Sequence, residues 1–521
     1  MSSQTATGSI SLHAGSLSLI YNNGSIRYIR LGPAEVIRQI YFAVRGSSWE
    51  TVPAQIVSET VHNSERDFHI ELVVRHASGD VDFEWRGAIS GGPENVIRFS
   101  IEGSSRSDFY RNRIGLCVLH PIEECAGQPC RIEHAGGRIE ESRFPTLVSP
   151  HQPFFDVHAM SHDPLPGATA EVRFSGEIFE TEDQRNWSDA SFKTYSTPLA
   201  VPYPVLLKAG DRVSQACTLV VHGTAPAVVS TARNFEEITI NTNAPKPVGA
   251  IGAKGTTNRQ DRKLAHVRLD IDCAQPNAES QITDACAAGT PLELAVFTDQ
   301  PAADLPRLAS EINRQRAKIA RLLLFPRDGK LTQKEACRVA RDLFDRVVVG
   351  GGSNTHFVEV NRNRDITESL DLVSWAVNPR AHSVEDLTMI ENLGGQEGAV
   401  HTVRNFGAGR PLCVSPVLVP DFPASAGWLI SSLKHLLQAG VDYLTYRTDD
   451  GLLEEIYGFQ ADSVLSSESS DPLKADALVL TRNGQSVAWV ANFLPVPQTV
   501  RIEDEEIRLD RFAVTRVNLL H

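Results

Sequence analysis

ARLLLFPRDGKLTQKEACRVARDLFDRVVVG, residues 320–350, contains two short apolar runs separated by one amphipathic segment. The runs are Ala320–Phe325 and Val347–Gly350. Between them, TQKE at 332–335 has the pattern of a capping box, and apolar residues follow it at helical spacing. Strands that are apolar on both faces belong to parallel sheets covered by helices. These residues therefore predict one strand–helix–strand unit of a parallel sheet.

Similar apolar runs recur after residue 262. They are Val267–Ile271, Leu292–Phe297, Ala320–Phe325, Val347–Gly350, Leu372–Val377, Leu412–Val417 and Tyr443–Tyr446. So many consecutive units favour a closed (β/α)8 barrel of the TIM type over an open sheet. We expect the eighth strand within residues 230–262 or 452–466. Phe357–Val360 also has an extended pattern, but it follows the fourth run too closely to be its parallel neighbour, since a crossover needs about a dozen residues or more.

The sequence on either side of this region alternates with a period of two, which is the spacing of half-buried strands. Phe68–Val74 and Val81–Trp85, for example, predict a hairpin around Gly79 and Asp80. Amphipathic helices are scarce before residue 225, and the alternation returns after residue 475. We therefore predict a multidomain protein of mixed α/β and all-β class. It has an N-terminal antiparallel β-sandwich over residues 1–225, the barrel over 226–465, and a small C-terminal β-sandwich domain over 466–521.

Composition narrows the class of function. The 521 residues carry a formal net charge of −14, with 41% apolar and 22% charged residues, which is ordinary for a globular protein. A net negative charge disfavours nucleic acid and anionic membranes as partners. The N-terminus lacks the pattern of a signal peptide and no apolar run is long enough for a membrane span, so we expect a cytoplasmic protein. The eight scattered cysteines imply neither a disulfide framework nor a zinc motif.

The carboxyl ends of barrel strands are where catalytic groups lie. The loop after the fourth run offers Asn354, Glu359 and Asn361, amides and a carboxylate of the kind that bind polyols. The alternative is that Glu359 forms an ordinary ion pair with Arg362 or Arg364.

Two further strand ends carry candidate residues. After the fifth run, Asn378 precedes a proline, and His382 can act as an acid or base near neutral pH. The alternative for His382 is that it merely precedes a helix start at 383–386. After the seventh run, Tyr446 can hold a hydroxyl and Arg447 can stabilise an oxyanion, unless Arg447 pairs with one of the aspartates that follow it.

A polar loop in the N-terminal domain, EDQRNWSDASFKTY at 182–195, is a further candidate. An aromatic ring beside carboxylates and amides is a common sugar-binding combination. Its candidate contacts are Asp183, Arg185, Trp187 and Lys193. The alternative is a solvated loop.

Four segments of the chain are distinctive: RNRIGL at 111–116 with HP at 120–121, EDQRNWSDASFKTY at 182–195, GGGSNTHFVEVNR at 350–362 and VSWAVNP at 373–379. Together they resemble the D-apionate lactonases of D-apiose catabolism. The resemblance extends over essentially the whole chain. It implies a β-sandwich, a TIM-type barrel and a C-terminal β domain, and it implies hydrolysis of the sugar lactone D-apionolactone to D-apionate.

Hydrolysis of a lactone needs a base for water, a donor for the oxyanion and a proton for the leaving alkoxide. We assign the base to Glu359, the acid or second base to His382 and the oxyanion donor to Arg447. The expected substrate contacts are Asn354, Asn361, Asn378, Tyr446, Asp183, Arg185, Trp187 and Lys193, the last four if the N-terminal loop folds over the barrel mouth. The scheme requires no metal or other cofactor, although His356, Glu359 and His382 could in principle hold a metal.

Two other functions stay open. A glycoside hydrolase of the TIM-barrel type needs a second carboxylate facing Glu359, and no glutamate stands directly after the seventh run, where the commonest arrangement places it. The other alternative is a carbohydrate-binding protein without catalytic activity.

Overall fold

The computed structural model describes residues 8–224, 235–254, 264–286 and 289–519. The chain forms two compact units. The first comprises residues 1–184 and 191–231, and the second comprises 185–190 and 232–521. The short segment 185–190 therefore lies between two parts of the first unit along the chain but belongs to the second.

The first unit is almost entirely β. Its strands are β1 Ile10–Ala14, β2 Leu17–Asn22, β3 Ser25–Leu31, β4 Ala34–Gly46, β5 Ala54–Asn63, β6 Phe68–Ser78, β7 Val81–Gly92, β8 Val96–Ser105, β9 Phe109–Pro121, β10 Pro129–His134, β11 Ile139–Arg143, β12 Phe154–Leu165, β13 Ala168–Ser175, β14 Phe179–Asp183, β15 Ser191–Tyr195, β16 Val205–Leu207 and β17 Arg212–His222, with one short helix, α1 Ile122–Cys125. These 17 strands form one hydrogen-bonded system.

The period-two pattern of the sequence accounts for these strands. Phe68, Ile70 and Leu72 of β6 are at most 3% exposed, while the residues between them face solvent. Strands β6 and β7 form the predicted hairpin, with Ser78 opposite Val81. Alternate burial of this kind places one face of each strand in a shared hydrophobic core.

The second unit contains the remaining elements. Its strands are β18 Glu236–Pro247, β19 Ala250–Lys254, β20 His266–Asp272, β21 Leu292–Phe297, β22 Ile319–Phe325, β23 Val349–Gly352, β24 Leu372–Val377, β25 Leu412–Leu418, β26 Tyr443–Arg447, β27 Ser463–Ser469, β28 Ala475–Arg482, β29 Gln485–Asn492, β30 Gln498–Ile502, β31 Glu505–Leu509 and β32 Val514–Leu519. Its helices are α2 Ala278–Cys286, α3 Pro301–Gln315, α4 Lys334–Leu343, α5 Phe357–Arg362, α6 Asp386–Glu391, α7 Gln396–Phe406, α8 Ser425–Ala439 and α9 Leu452–Gly458. Among the described residues, 3-10 turns lie at Arg364–Ser369 and Asn392–Gly395, and another at Gln184–Trp187 begins on the last residue before the segment 185–190.

Strands β19 to β26 close into an eight-stranded barrel whose neighbouring strands all run parallel. The TIM-type barrel that the apolar runs predict is confirmed, and the seven predicted strands correspond to β20 through β26. The eighth strand is β19, which lies within the first of the two expected ranges.

The extended pattern assigned to Phe357–Val360 is wrong, because these residues form helix α5. Phe357, Val358 and Val360 are all buried, and the Phe357 ring lies 5.6 Å from that of Trp375 on β24. Apolar residues at this spacing can cover one side of a single helical turn as well as they can fill a strand, so periodicity alone does not separate the two.

The capping box predicted at Thr332 is not formed either. The Thr332 hydroxyl donates to the carbonyl of Leu324 and accepts from the amide of Gly352 at 2.8 Å. It therefore links the ends of β22 and β23, and helix α4 begins after it, at Lys334.

The other seven strands of this unit form a sheet in the order β31-β30-β18-β27-β28-β29-β32. Strand β18 precedes the barrel along the chain, within the range predicted for the barrel, but it pairs in this C-terminal sheet with β27 and β30. Helix α8 packs against the sheet, where Lys434 forms a buried ion pair of 2.7 Å with Asp476 of β28. No helix among the described residues is long and apolar enough to cross a membrane.

Candidate active site

The interior of the barrel is lined by charged residues near its centre. Glu293 of β21 is fully buried, and its carboxylate accepts from Arg321 at 2.6 Å and from Thr445 at 2.9 Å. Burial alone would raise the pKa of Glu293, but the neighbouring His266 and Arg321 outweigh it and lower that pKa to about 2. Burial lowers the pKa of His266 to about 4, so Arg321 supplies the balancing charge at neutral pH. The charges of this network are therefore compensated within the barrel interior.

The carboxyl ends of β19, β20 and β26 form a cationic cluster at the mouth. Lys254 pairs with Asp270, and Arg268 donates to Asp270 at 2.7 Å. Arg268 also donates to the amide oxygen of Asn354 in the loop after β23. Burial lowers the pKa of Lys254 although Asp270 opposes the shift. Burial would raise the pKa of Asp270, but the charges of Arg268 and Lys254 lower it, so its carboxylate stays ionised.

Arg447 completes this cluster at the end of β26. It is exposed, and its guanidinium forms no hydrogen bond or ion pair with any residue that the structure describes, the aspartates that follow it included. Strand residues alternate between faces, and Tyr443 and Thr445, two and four positions earlier, contact Arg321 and Glu293 in the barrel interior. Arg447 therefore faces the mouth with its charge available to a ligand.

A second cluster lies at the end of β24, where His382 meets the segment 185–190. The Nδ1 atom of His382 hydrogen-bonds the carboxylate of Asp189, which is 3% exposed. The other carboxylate oxygen of Asp189 accepts from the side-chain amide of Asn392. The amide oxygen of Asn392 in turn accepts from the backbone N–H of Ala190 at 3.1 Å. These contacts fix both the carboxylate and the histidine ring.

Neighbouring contacts hold this segment in place. Asn361 of α5 donates to Asn186 at 3.0 Å and accepts from Arg364 at 2.8 Å. The Trp187 ring lies 5.2 Å from the His382 ring in an edge-on arrangement. A Cβ atom at Gly395 would lie 2.7 Å from the backbone of Asp189, so only glycine allows the approach.

His356, at the N-terminus of α5, belongs to the same surroundings. Burial and the nearby His382 lower its pKa to about 4, so it is neutral at physiological pH. Its Nδ1 atom is buried and has no hydrogen-bond partner among the described residues. A neutral imidazole with an unused nitrogen can serve a polar ligand that enters this mouth.

The structure brings several predicted site residues together. His382 and Trp187 are in contact, Asn361 and Arg185 lie in the same unit, and Asn354 and Arg447 lie at the same end of the barrel. The segment 185–190, which contains Arg185 and Trp187, belongs to the same compact unit as the barrel residues.

Other predicted residues are placed differently. Glu359 is half-buried on α5, and its carboxylate forms no hydrogen bond or ion pair with a described residue, Arg364 included. Asn378 accepts from the backbone N–H of Arg380 at 3.1 Å and so shapes its own turn. Tyr446 is fully buried, with its hydroxyl 3.0 Å from that of Ser432 on α8, and faces the helix layer.

Two predicted contacts belong to the first unit. The Asp183 carboxylate accepts from the backbone N–H of Ser149 at 2.9 Å. Lys193 forms an ion pair with Glu182 and lies 5.1 Å from the Tyr195 ring. Each therefore has a partner within that unit.

Sequence reasoning missed part of both clusters. The residues not assigned a role were Lys254, Arg268, Asp270, Asp189 and Asn392. A signal existed for two of them, since Arg268 and Asp270 interrupt the apolar run of β20 at alternate positions. Asp189 lies within the EDQRNWSDASFKTY segment, but no pattern in the neighbouring sequence indicates that it binds a histidine. Among the described residues, no group of three or more His, Cys, Asp or Glu side chains is placed to hold a metal ion.

Comparison with known proteins identifies the family. The N-terminal domain of D-apionate lactonase matches residues 1–224, and the TIM barrel domain of D-apionate lactonase matches residues 253–421. A curated D-apionate lactonase from Brucella anthropi is 30% identical over 453 residues, which cover 78% of this chain and 72% of the relative.

Two solved structures that the comparison finds are much more distant. A GH30 endoxylanase from Clostridium papyrosolvens covers 54% of this chain and 98% of its own, with 9% identity and a TM-score of 0.40. A β-arabinopyranosidase covers 98% of both chains, with 8% identity and a TM-score of 0.29. The family assignment therefore depends on the sequence matches, and by those matches the chain belongs to the D-apionate lactonase family.

Proposed function

We propose that this protein hydrolyses the ring ester of a branched sugar lactone, D-apionolactone, to give D-apionate. The name of the Brucella relative supports the substrate. The observation that carries the proposal is the His382–Asp189 pair at the end of the barrel where the Arg447 guanidinium has no partner among the residues that the structure describes. A base and a cation at one end of a barrel meet the two main needs of ester hydrolysis.

His382 acts as the base in this proposal. Asp189 accepts from Nδ1, so the proton of a neutral imidazole stays on that nitrogen and Nε2 is left as the acceptor. Nε2 takes a proton from water while the water oxygen bonds to the lactone carbonyl carbon. Asp189 also stabilises the imidazolium that forms.

Arg447 and Lys254 stabilise the oxyanion that develops on the carbonyl oxygen. Among the described residues, Lys254 and Arg268 share the carboxylate of Asp270 as their ion-pair partner and Arg447 forms no ion pair, so the cationic cluster has positive charge to offer. Collapse of the intermediate breaks the bond to the ring oxygen, and His382 returns its proton to that alkoxide. The products are a carboxylate and a hydroxyl on one open chain.

Substrate hydroxyls are bound by the residues around these groups. Asn354 lies beside the cationic cluster, Trp187 offers a ring face next to His382, and Asn361 supports the segment that carries Trp187. Arg185 and Asn378 remain candidates from the sequence. No cofactor is part of the proposal.

The test compares two variants by proton release from D-apionolactone in weak buffer. Replacing the proposed base in His382→Asn should lower kcat by about 10³-fold, within the usual range for removal of a catalytic base. Glu359→Gln should lower kcat by less than about tenfold, because no hydrogen bond or ion pair with a described residue orients the Glu359 carboxylate. The reverse pattern would give the role of base to Glu359, and full activity in both variants would remove this cluster from the mechanism.

The two alternative functions are addressed by the same preparation. Turnover of aryl glycosides without turnover of the lactone would support a glycoside hydrolase. Lactone binding without turnover would support a noncatalytic sugar-binding protein.

The setting and finer architecture are proposals as well. We place the protein in the cytoplasm, in keeping with eight free cysteines among the described residues. Its proposed partner is a small-molecule lactone, and we propose neither nucleic acid nor a membrane as a partner. We take the first unit as an antiparallel β-sandwich, the seven C-terminal strands as a small β-sandwich, and domain boundaries near residues 225 and 465.

A further inference from the structure

An exposed pair of aromatic rings lies in the first unit, which holds none of the residues of the proposed lactonase mechanism. Trp49 is 42% exposed and Tyr203 is 45% exposed. Their ring centroids are 5.1 Å apart with an interplanar angle of 71°. Of the six tryptophans of the chain, Trp49 alone is exposed, and the others are buried or half-buried. Large apolar rings left in water in this way often mark a binding surface.

The backbone holds Trp49 in an unfavourable conformation. Its φ is +68°, in the left-handed region that residues with a bulky side chain seldom adopt. The turn is closed by a hydrogen bond of 3.1 Å from the Trp49 N–H to the carbonyl of Gly46, and Arg45 donates to the Trp49 carbonyl at 3.0 Å. The left-handed conformation is unfavourable for a residue with a side chain, and here it leaves the ring in solvent without burying it. Such strain favours a functional role for the ring.

A guanidinium with unused donors lies beneath the rings. The central carbon of Arg113 is 5.3 Å from the centre of the Trp49 ring and 4.6 Å from that of Tyr203. Arg113 is 5% exposed and donates one hydrogen bond, from Nη1 to the carbonyl of Asn112 at 2.6 Å. Its Nε and Nη2 atoms are buried without a partner among the described residues. Buried donors without a partner are unfavourable unless a ligand binds them.

Donors and acceptors alternate beside the rings. Arg111 donates to the Thr197 hydroxyl at 3.1 Å, and that hydroxyl donates to Glu177 at 3.4 Å. Glu177 also accepts from Gln215 at 3.2 Å. The two arginines of the patch are matched by Glu177 and by Glu180, whose charge acts on Arg113. The patch is therefore close to neutral overall and rich in both kinds of hydrogen-bonding group.

We propose that this patch, defined by Trp49, Tyr203, Arg111, Arg113, Glu177 and Glu180, is a second carbohydrate site that binds a neutral sugar ring. The aromatic faces match the apolar C–H face of a sugar. Hydroxyls both donate and accept, and so they match the mixed guanidinium and carboxylate groups. A sugar carboxylate fits less well, because Glu177 repels it. This binding role goes beyond lactone hydrolysis and does not depend on it.

The first experiment is a titration of the intact protein with neutral methyl pyranosides, with galacturonate as the anionic comparison. Saturation-transfer NMR measures binding, and protection of tryptophan fluorescence from acrylamide reports on Trp49. We expect saturable binding of a neutral sugar with a Kd on the order of millimolar and reduced quenching in the complex. Absence of saturable binding, or a preference for galacturonate, would overturn the proposal.

Variants then locate the binding. Trp49→Ala and Tyr203→Ala should each weaken NMR-detected binding at least about tenfold, while Trp49→Phe should retain most of it. Phe155→Ala is the matched control, since Phe155 is a 53% exposed aromatic residue elsewhere in the same unit, and it should bind normally. Lactone turnover should be unchanged in all four variants. Binding that survives both alanine substitutions in folded protein would refute the assignment.

Discussion

Replacement of Asp189 by asparagine should disable the His382 base while preserving the fold. The amide of Asn392 is oriented by Ala190, whose N–H binds the Asn392 oxygen at 3.1 Å, so its NH2 group must face residue 189. In Asp189→Asn, the new amide oxygen turns toward that NH2 group and the new amide nitrogen faces His382. Nδ1 of His382 must then accept, which moves the ring proton to Nε2, the atom that should receive the proton of water.

The size of the effect follows from the lost contacts. A hydrogen bond to a charged group contributes about 1.5–3 kcal/mol, and 1.36 kcal/mol corresponds to about tenfold in rate. Loss of the charge alone therefore lowers kcat by about 10- to 150-fold, and the unfavourable tautomer adds to this. We expect a loss of at least about a hundredfold in kcat with little change in KM, because Asp189 acts through His382 and not through the substrate.

Proton release from D-apionolactone measures kcat, and thermal unfolding checks the fold. Glu397→Gln is the matched control, because Glu397 of α7 accepts from His435 of α8 in a similar histidine–carboxylate pair on the outer helices. That variant should retain kcat. A folded Asp189→Asn protein with more than about a third of the normal kcat would refute the proposed role of Asp189.

Three further outcomes are expected. Arg447→Met should lower kcat/KM by about 10²- to 10³-fold with no loss of thermal stability, and unchanged hydrolysis would show that another group stabilises the oxyanion. Burial lowers the pKa of His120 to about 3 and that of His162 to about 4. Between these values and the ordinary pKa of about 6.5, the unfolded chain binds more protons than the folded chain. The contribution of each neutral histidine to the free energy of unfolding is therefore full above about pH 6.5 and falls toward pH 4 by about 1.4 kcal/mol per pH unit. Denaturant titrations at several pH values should show this slope and its decrease in His162→Leu, and an equal slope in both proteins would contradict it. Asp476→Ala should cost about 3–5 kcal/mol in unfolding free energy by leaving Lys434 buried and unpaired, and urea denaturation showing less than about 1 kcal/mol would mean that the charge is relieved by water.

Most of the barrel could be predicted from the sequence because its strands are apolar on both faces. Leu292–Phe297 and Leu372–Val377 have the same bounds in the structure as in the prediction. Strand β19 was harder to find, since its lumen positions hold Gly252 and Lys254 and it lacks a long apolar run. The charged Lys254 that places β19 at the barrel mouth also interrupts the apolar pattern by which a buried strand is recognised.

The orientation of Tyr446 was predictable but missed. Tyr443 and Thr445 contact groups of the barrel interior, so strand alternation turns Tyr446 outward and Arg447 inward. Applying the period of two to β26 separates the two residues that the sequence interpretation had placed in one site.

Other parts of the candidate site could not be predicted from one sequence. Asp189 and Asn392 are 203 positions apart and come together only through the tertiary fold. No local spacing rule connects them, and neither has a neighbour in the sequence that marks it as a partner of His382. These contacts form only because the segment 185–190 belongs to the second unit, although the residues on either side of it belong to the first.

That exchanged segment constrains how this protein can be divided. The six residues 185–190 come between β14 and β15 of the first unit, yet they supply the carboxylate for His382. A gene fragment encoding only residues 232–521 would keep the histidine and the cationic cluster but lose Asp189. Transfer of the barrel alone to another protein by domain shuffling would therefore lose the partner of the proposed base. The barrel and the N-terminal β domain must be inherited together for the proposed chemistry to be kept.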